Sequence, residues 1–169
     1  MLFRSQDTIP FDAAVKTGTL PNGTKFYVRR NGRPEKRVSL RLAVKAGSMN
    51  EADDQQGLAH LIEHMAFNGS AHFKPGELVS YFESFGARLG PHVNAYTSFD
   101  ETVYMLDLPS DKPEILDKAL LALADYAGGL TLSPEEIAKE KPVVIEEWRL
   151  GLGAGSRVRD KQLDRKSVV

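Results

Sequence analysis

Residues 57–69 read GLAHLIEHMAFNG, and within them His60, Glu63 and His64 form an H-x-x-E-H pattern. At about 100° per residue on an α-helix, His64 leaves the axis roughly 40° round from His60, and Glu63 about 60° to the other side. Two imidazoles and a carboxylate therefore share one helical face. That face offers a Zn2+ ion two nitrogen donors and sets a carboxylate beside the water such an ion binds. A lone histidine on a helix is more often a core or surface residue than a ligand; three such groups at this spacing favour the metal. Asp53, Asp54 and Gln55 precede the helix and put acidic charge near its N-terminus. Asn68-Gly69 reads as its C-cap.

Composition narrows what surrounds this helix. With 169 residues, 41% of them hydrophobic and 27% charged, the chain has the material for one domain with a sizeable core. Lys plus Arg number 22 against 23 for Asp plus Glu, so net charge gives no signal for nucleic acid or a membrane surface. The absence of cysteine excludes disulfides and thiolate ligands, leaving histidine and carboxylate for any metal. No apolar run approaches the ~20 residues of a membrane span.

Outward from the motif, the pattern alternates between strands and helices. Upstream, Gly18 to Arg30 predicts a hairpin turning at Asn22-Gly23, and Val38 to Ala46 alternates as a half-buried strand of an antiparallel sheet. Downstream, His72 sits in a loop and reads as a turn residue rather than a ligand, and Pro75 predicts a helix start running to Gly86. Gly90 to Leu108 is strand-rich, and Lys112 to Tyr126 carries a helical stripe ended by Gly128-Gly129. Ser133-Pro134-Glu135-Glu136 opens a last helix to about Leu150, with Pro142 predicting a kink or a late start and Gly151 to Ser156 breaking the pattern. Glu140 and Glu147, seven apart, lie on nearly the same face of that helix.

Two histidines leave a catalytic zinc one protein donor short. HLIEHMAFNGS, then NAYTSFDETVY, then EKPVVIEEW resemble, in that order, the N-terminal catalytic domain of the pitrilysin/insulinase family of inverted-motif zinc metallopeptidases, and the likeness covers nearly all of Thr19 to Leu150. The resemblance implies one Zn2+ held by His60, His64 and Glu147, with Glu63 as general base. It implies that Glu140 is an acidic residue supporting activity, and that Asn94, Ala95, Tyr96 and Thr97 align the substrate main chain. Glu146 and Glu140 stay open as alternatives to Glu147 for the third ligand.

The expected fold is α+β: a mainly antiparallel sheet with helices packed on one face, the α/β roll of that family. The expected function is a zinc-dependent endopeptidase domain acting on peptides or unstructured segments. Its partners would be a peptide substrate and a missing C-terminal half or a homologous partner subunit, without which the fragment is inactive. The alternative is a non-catalytic homologue serving as a partner or scaffold subunit. Leu2 to Ser5 and Asp164 to Val169 resemble translated sequencing adapter, which predicts non-native ends at 1–5 and 164–169 and a zinc-peptidase domain over 6–163, incomplete at both ends. Exported bacterial relatives make the bacterial periplasm the location this resemblance suggests.

Overall fold

The computed structural model describes residues 11–158 and 161, so the readings placed on residues 1–5 and 164–169 lie outside the described residues. The chain divides into two compact units, one ending at Lys36 and the other starting at Arg37.

The first unit is the expected hairpin, β1 (Val15–Thr19) paired antiparallel with β2 (Lys25–Arg29). Gly23 takes a φ of 86° at the turn, and the Asn22 Oδ1 accepts the Thr24 N–H at 3.0 Å. The strand begins three residues earlier than the sequence suggests. Asp12 holds the start: its carboxylate accepts the Ala14 N–H and pairs with Arg29 Nε, each at 2.9 Å. Gly18 faces Phe26 across the pair, and a Cβ there would sit 2.5 Å from the ring, so any larger residue would push that ring aside.

The second unit is a three-stranded sheet with helices against one face. Its strands are β3 (Val38–Val44), β4 (Val93–Thr97) and β5 (Thr102–Leu108), with β5 central and antiparallel to both neighbours. A 3-10 turn (Ser48–Asn50) and α1 (Leu58–Met65) follow β3, and α2 (Glu77–Glu83) precedes β4. Then come α3 (Pro113–Gly128) and α4 (Pro134–Gly151). The pleat sends Leu40 and Leu42 of β3 and Tyr104, Leu106 and Leu108 of β5 to one side, where they pack in one cluster with Phe82, Ile115, Ala119, Ala122 and Tyr126. Each fully buried large side chain there, such as Phe82 or Leu106, stabilises the fold by about 1.5–3 kcal/mol. On the opposite side of the sheet, Ser39 and Arg41 converge on Asp107 at 2.6–3.0 Å.

Element boundaries depart from the sequence reading in several places. The motif helix ends at Met65, before Asn68-Gly69, and Pro75 precedes rather than starts α2, because Gly76 at φ 74° reverses the chain first. α4 runs unbroken through Pro142, with no late start. The proline leaves the Ala138 carbonyl without its i+4 donor, and both residues are exposed, where water can serve that carbonyl. The chain is helical again over 154–158, where the glycines predict only a break. Among the described residues, no helix is long and apolar enough to cross a membrane.

Candidate metal centre

Local chemistry at its N-terminus holds α1 in place. Glu51 accepts the Gly57 N–H at 2.9 Å and the Ala59 N–H at 2.7 Å, so its carboxylate serves the orphan donors of the first turn. The sequence reading gives that acidic role to Asp53 and Asp54. Gly57, at φ 91°, turns the chain so that Glu51, six residues back, reaches the helix end instead.

His60 and His64 project from α1 with rings 4.7 Å apart and nearly perpendicular, their Nε2 atoms 3.1 Å from each other. Glu147, on α4, brings Oε2 to 3.3 Å from His60 Nε2 and 3.4 Å from His64 Nε2. Three donors 2.0–2.1 Å from a tetrahedral centre stand about 3.3–3.4 Å from one another. The observed triangle is of that size, and two imidazoles with one carboxylate are a zinc-type donor set that leaves a fourth position open. Glu146 does not join this group; it pairs with Arg149.

Glu140 approaches from the other side of the same imidazole. Its Oε1 lies 2.7 Å from His64 Nδ1, and its Oε2 accepts a hydrogen bond from Asn68 Nδ2 at 3.0 Å. An ionised carboxylate at Nδ1 selects the tautomer protonated there, which leaves the Nε2 lone pair directed at the triangle. The seven-residue spacing thus sets Glu140 and Glu147 at opposite nitrogens of one ring.

Glu63 is buried, at 9% exposure, and its Oε2 accepts the Thr97 hydroxyl at 2.5 Å. Thr97 ends β4 opposite Thr102, whose own hydroxyl is committed to the Ala46 carbonyl at 2.9 Å. Tyr104 lies close enough to feel Glu63: burial first, and the carboxylate second, push its phenol up to about 12, so it stays neutral. Asn94, Ala95 and Tyr96 precede Thr97 on β4, which is the last strand of its sheet, with no strand on its outer side among the described residues. The Tyr96 hydroxyl donates to Glu101 at 2.8 Å.

A buried junction brings α4 back to α1. Asp125, near the end of α3 and 4% exposed, accepts the Ser70 hydroxyl at 2.6 Å and the His72 N–H at 3.0 Å, and lies 2.8 Å from His72 Nδ1. Burial alone would raise its carboxyl, but these donors together outweigh burial and hold it below the usual carboxylate range. Backbone bonds from Ala71 to Gly129 and from Thr131 to Gly69 close the same junction. His72 is therefore a structural residue and stands outside the donor triangle. Sequence pattern gives no sign of Glu51, Thr97 or Asn68 in these roles, because each acts on a partner its own periodicity does not reveal.

Among known proteins, the profile of the family described as Insulinase (Peptidase family M16) matches residues 27–151. The zinc protease PQQL-like of Arabidopsis thaliana is 44% identical over 151 residues, which is 89% of this chain and 16% of that protein. The probable zinc protease PqqL of Haemophilus influenzae is 38% identical over 156 residues, 92% of this chain and 17% of that protein. The crystal structure of the first half of the periplasmic protease PqqL from Escherichia coli aligns with a TM-score of 0.85 at 35% identity, over 91% of this chain and 33% of that one. The chain thus spans about a sixth of the length of the two sequence relatives.

Proposed function

This chain belongs to the insulinase family of peptidases, M16, and from that premise we propose that it is the metal-holding catalytic portion of a longer zinc endopeptidase. The observation that carries the reading is the triangle of His60 Nε2, His64 Nε2 and Glu147 Oε2, with sides of 3.1, 3.3 and 3.4 Å. A zinc ion held by these three would supply Lewis acidity to a bound water and to a peptide carbonyl.

The protein groups divide the remaining work. Glu63 takes the proton of the attacking water and returns it to the leaving amine. Thr97 fixes Oε2 of Glu63, so Oε1 is the oxygen left to exchange that proton. Glu140 holds His64 through Nδ1 and keeps its Nε2 free as a donor. An extended peptide adds along the outer edge of β4, where the backbone of Asn94, Ala95, Tyr96 and Thr97 aligns it by main-chain hydrogen bonds. Substrates are therefore peptides or unstructured segments, which can lie flat against a strand. A further half of the same protein, or a homologous subunit, closes over the bound peptide, so the 169-residue chain alone turns over slowly or not at all. The periplasmic setting of the E. coli relative extends to this protein.

The test is zinc content and peptidase activity of the full-length protein beside its Glu63→Gln variant. The expected result is retained metal with activity lowered by roughly 10²–10⁴-fold, the usual weight of a general base. A Gln variant with full activity sinks the assignment of the base. A full-length protein that binds zinc yet hydrolyses no peptide points instead to a non-catalytic subunit, and rapid turnover by the 169-residue chain refutes the need for a second half.

A further inference from the structure

We infer that Asn68 is a positioning residue for the metal centre, acting on His64 through Glu140. Asn68 lies four residues after His64, just beyond the end of α1, and its Nδ2 donates to Glu140 Oε2 at 3.0 Å and to the His64 carbonyl at 3.3 Å. Both of these neighbours are acceptors, so the amide nitrogen is the atom that must face them. The other oxygen of Glu140 lies 2.7 Å from His64 Nδ1. Each carboxylate oxygen is thus tied to α1 or the residues just after it, and the group cannot rotate without breaking one tie.

That restraint matters because Glu140 stands on a helix that has no buried residue among those described. The Glu140 side chain has three torsions and keeps a fifth of its surface exposed, and ordering it at His64 costs side-chain entropy. Asn68 offsets that cost by offering a second, neutral donor at the correct distance. Being uncharged, the amide does not draw the Glu140 carboxylate away from the imidazole N–H, as a lysine ammonium at this position would. Glu140 in turn sets the ring of His64 and the direction of its Nε2, as carboxylate partners of ligating histidines generally do.

The inference rests on His64 binding metal through Nε2, and the experiment separates the two claims. Zinc affinity of the 169-residue chain is measured by chelator competition for the unmodified chain, Asn68→Leu, Glu140→Ala and the double variant. Thermal unfolding of the metal-free forms identifies the folded ones. Glu140→Ala should weaken zinc binding about 10–100-fold, as loss of an outer partner does, and Asn68→Leu, one step further out, about 3–10-fold. In the Glu140→Ala background, Asn68→Leu should add less than about twofold, because its effect passes through the missing carboxylate. The visible absorption of the Co2+-loaded chain supplies a second readout: it should differ between the unmodified chain and Asn68→Leu, and not between Glu140→Ala and the double variant. Should Asn68→Leu fail to fold, Asn68→Ser, small and too short to reach Glu140, takes its place. Unchanged affinity and absorption in a folded Asn68 variant overturn the inference alone, as does an equal loss with and without Glu140. An unmodified chain that binds no zinc overturns this inference together with the metal reading beneath it.

Discussion

The two long helices of this chain are held by different balances of force. α3 buries Ile115, Ala119, Ala122 and Tyr126 against the sheet, and its place is set by apolar area removed from water. α4 is two residues longer and buries none of its described residues, leaving Val143, Trp148 and Leu150 exposed. Ile137 and Val144 are only half-buried, and the ion-pair contacts of α4 with α1 are those of Glu140 and Glu147 with the two histidines. Where hydrophobic packing fixes an element, the site tolerates changes in charge; where charges fix it, the element and the site depend on the same atoms.

The strongest way to break this contrast is to cut each kind of support in turn. Leu106→Ala, under α3, should cost about 2–5 kcal/mol in denaturant unfolding of the metal-free chain. Glu147→Gln, half-exposed on α4, should leave that stability within about 0.5 kcal/mol and yet abolish stoichiometric zinc binding by chelator competition. Equal losses of stability in the two variants would mean that α4 is packed, not tethered.

The junction between the two helices gives an intermediate effect. Asp125→Asn should cost about 1–3 kcal/mol at neutral pH, the range for losing hydrogen bonds to a buried charge. The sign of the pH dependence follows from the depressed carboxyl. Its contribution is complete above the unfolded carboxylate value of about 3.9 and is lost as pH falls through the lower folded value. Thermal unfolding between neutral and strongly acidic pH should show that acid-side loss in the unmodified chain, and the Asn variant should lack this residue's share of it. The smallest effect sharpens the contrast without perturbing it. Trp148, the sole tryptophan, is exposed and adjoins Glu147, so its fluorescence should shift modestly on adding zinc and stay unchanged in Glu147→Gln.

Periodic features were legible in the sequence, and long-range ones were not. The alternation of Val38 to Val44 matches a strand whose even residues pack inward, and the alternation of Thr102 to Leu108 matches its central neighbour. His60, Glu63 and His64 are readable because one helical turn fixes their relation. The grouping of His64 with Glu147 came from resemblance to a family, since no local rule links positions 83 apart. Thr97 is the instructive case. Its place in NAYTS suggested contact with substrate, while in the fold its hydroxyl meets Glu63, from 34 positions earlier in the chain. Which hydroxyl reaches which carboxylate depends on how β4 passes α1, and that is decided by packing rather than by either segment. Glu51 is not legible for a related reason, because the turn at Gly57 brings a more distant acid to the helix end than the two aspartates nearest to it.

A metal held as proposed would tie α1 to α4 and act as a staple across a long stretch of polymer. Joining His64 to Glu147 closes a loop of 83 residues, for which a permanent cross-link would cut denatured-state entropy by an amount worth roughly 4–5 kcal/mol. Withdrawing such an ion would then cost the chain more than its chemistry: the last helix would lose an anchor while the sheet and α3 kept theirs, and chelation would loosen one end of the molecule and leave the other intact.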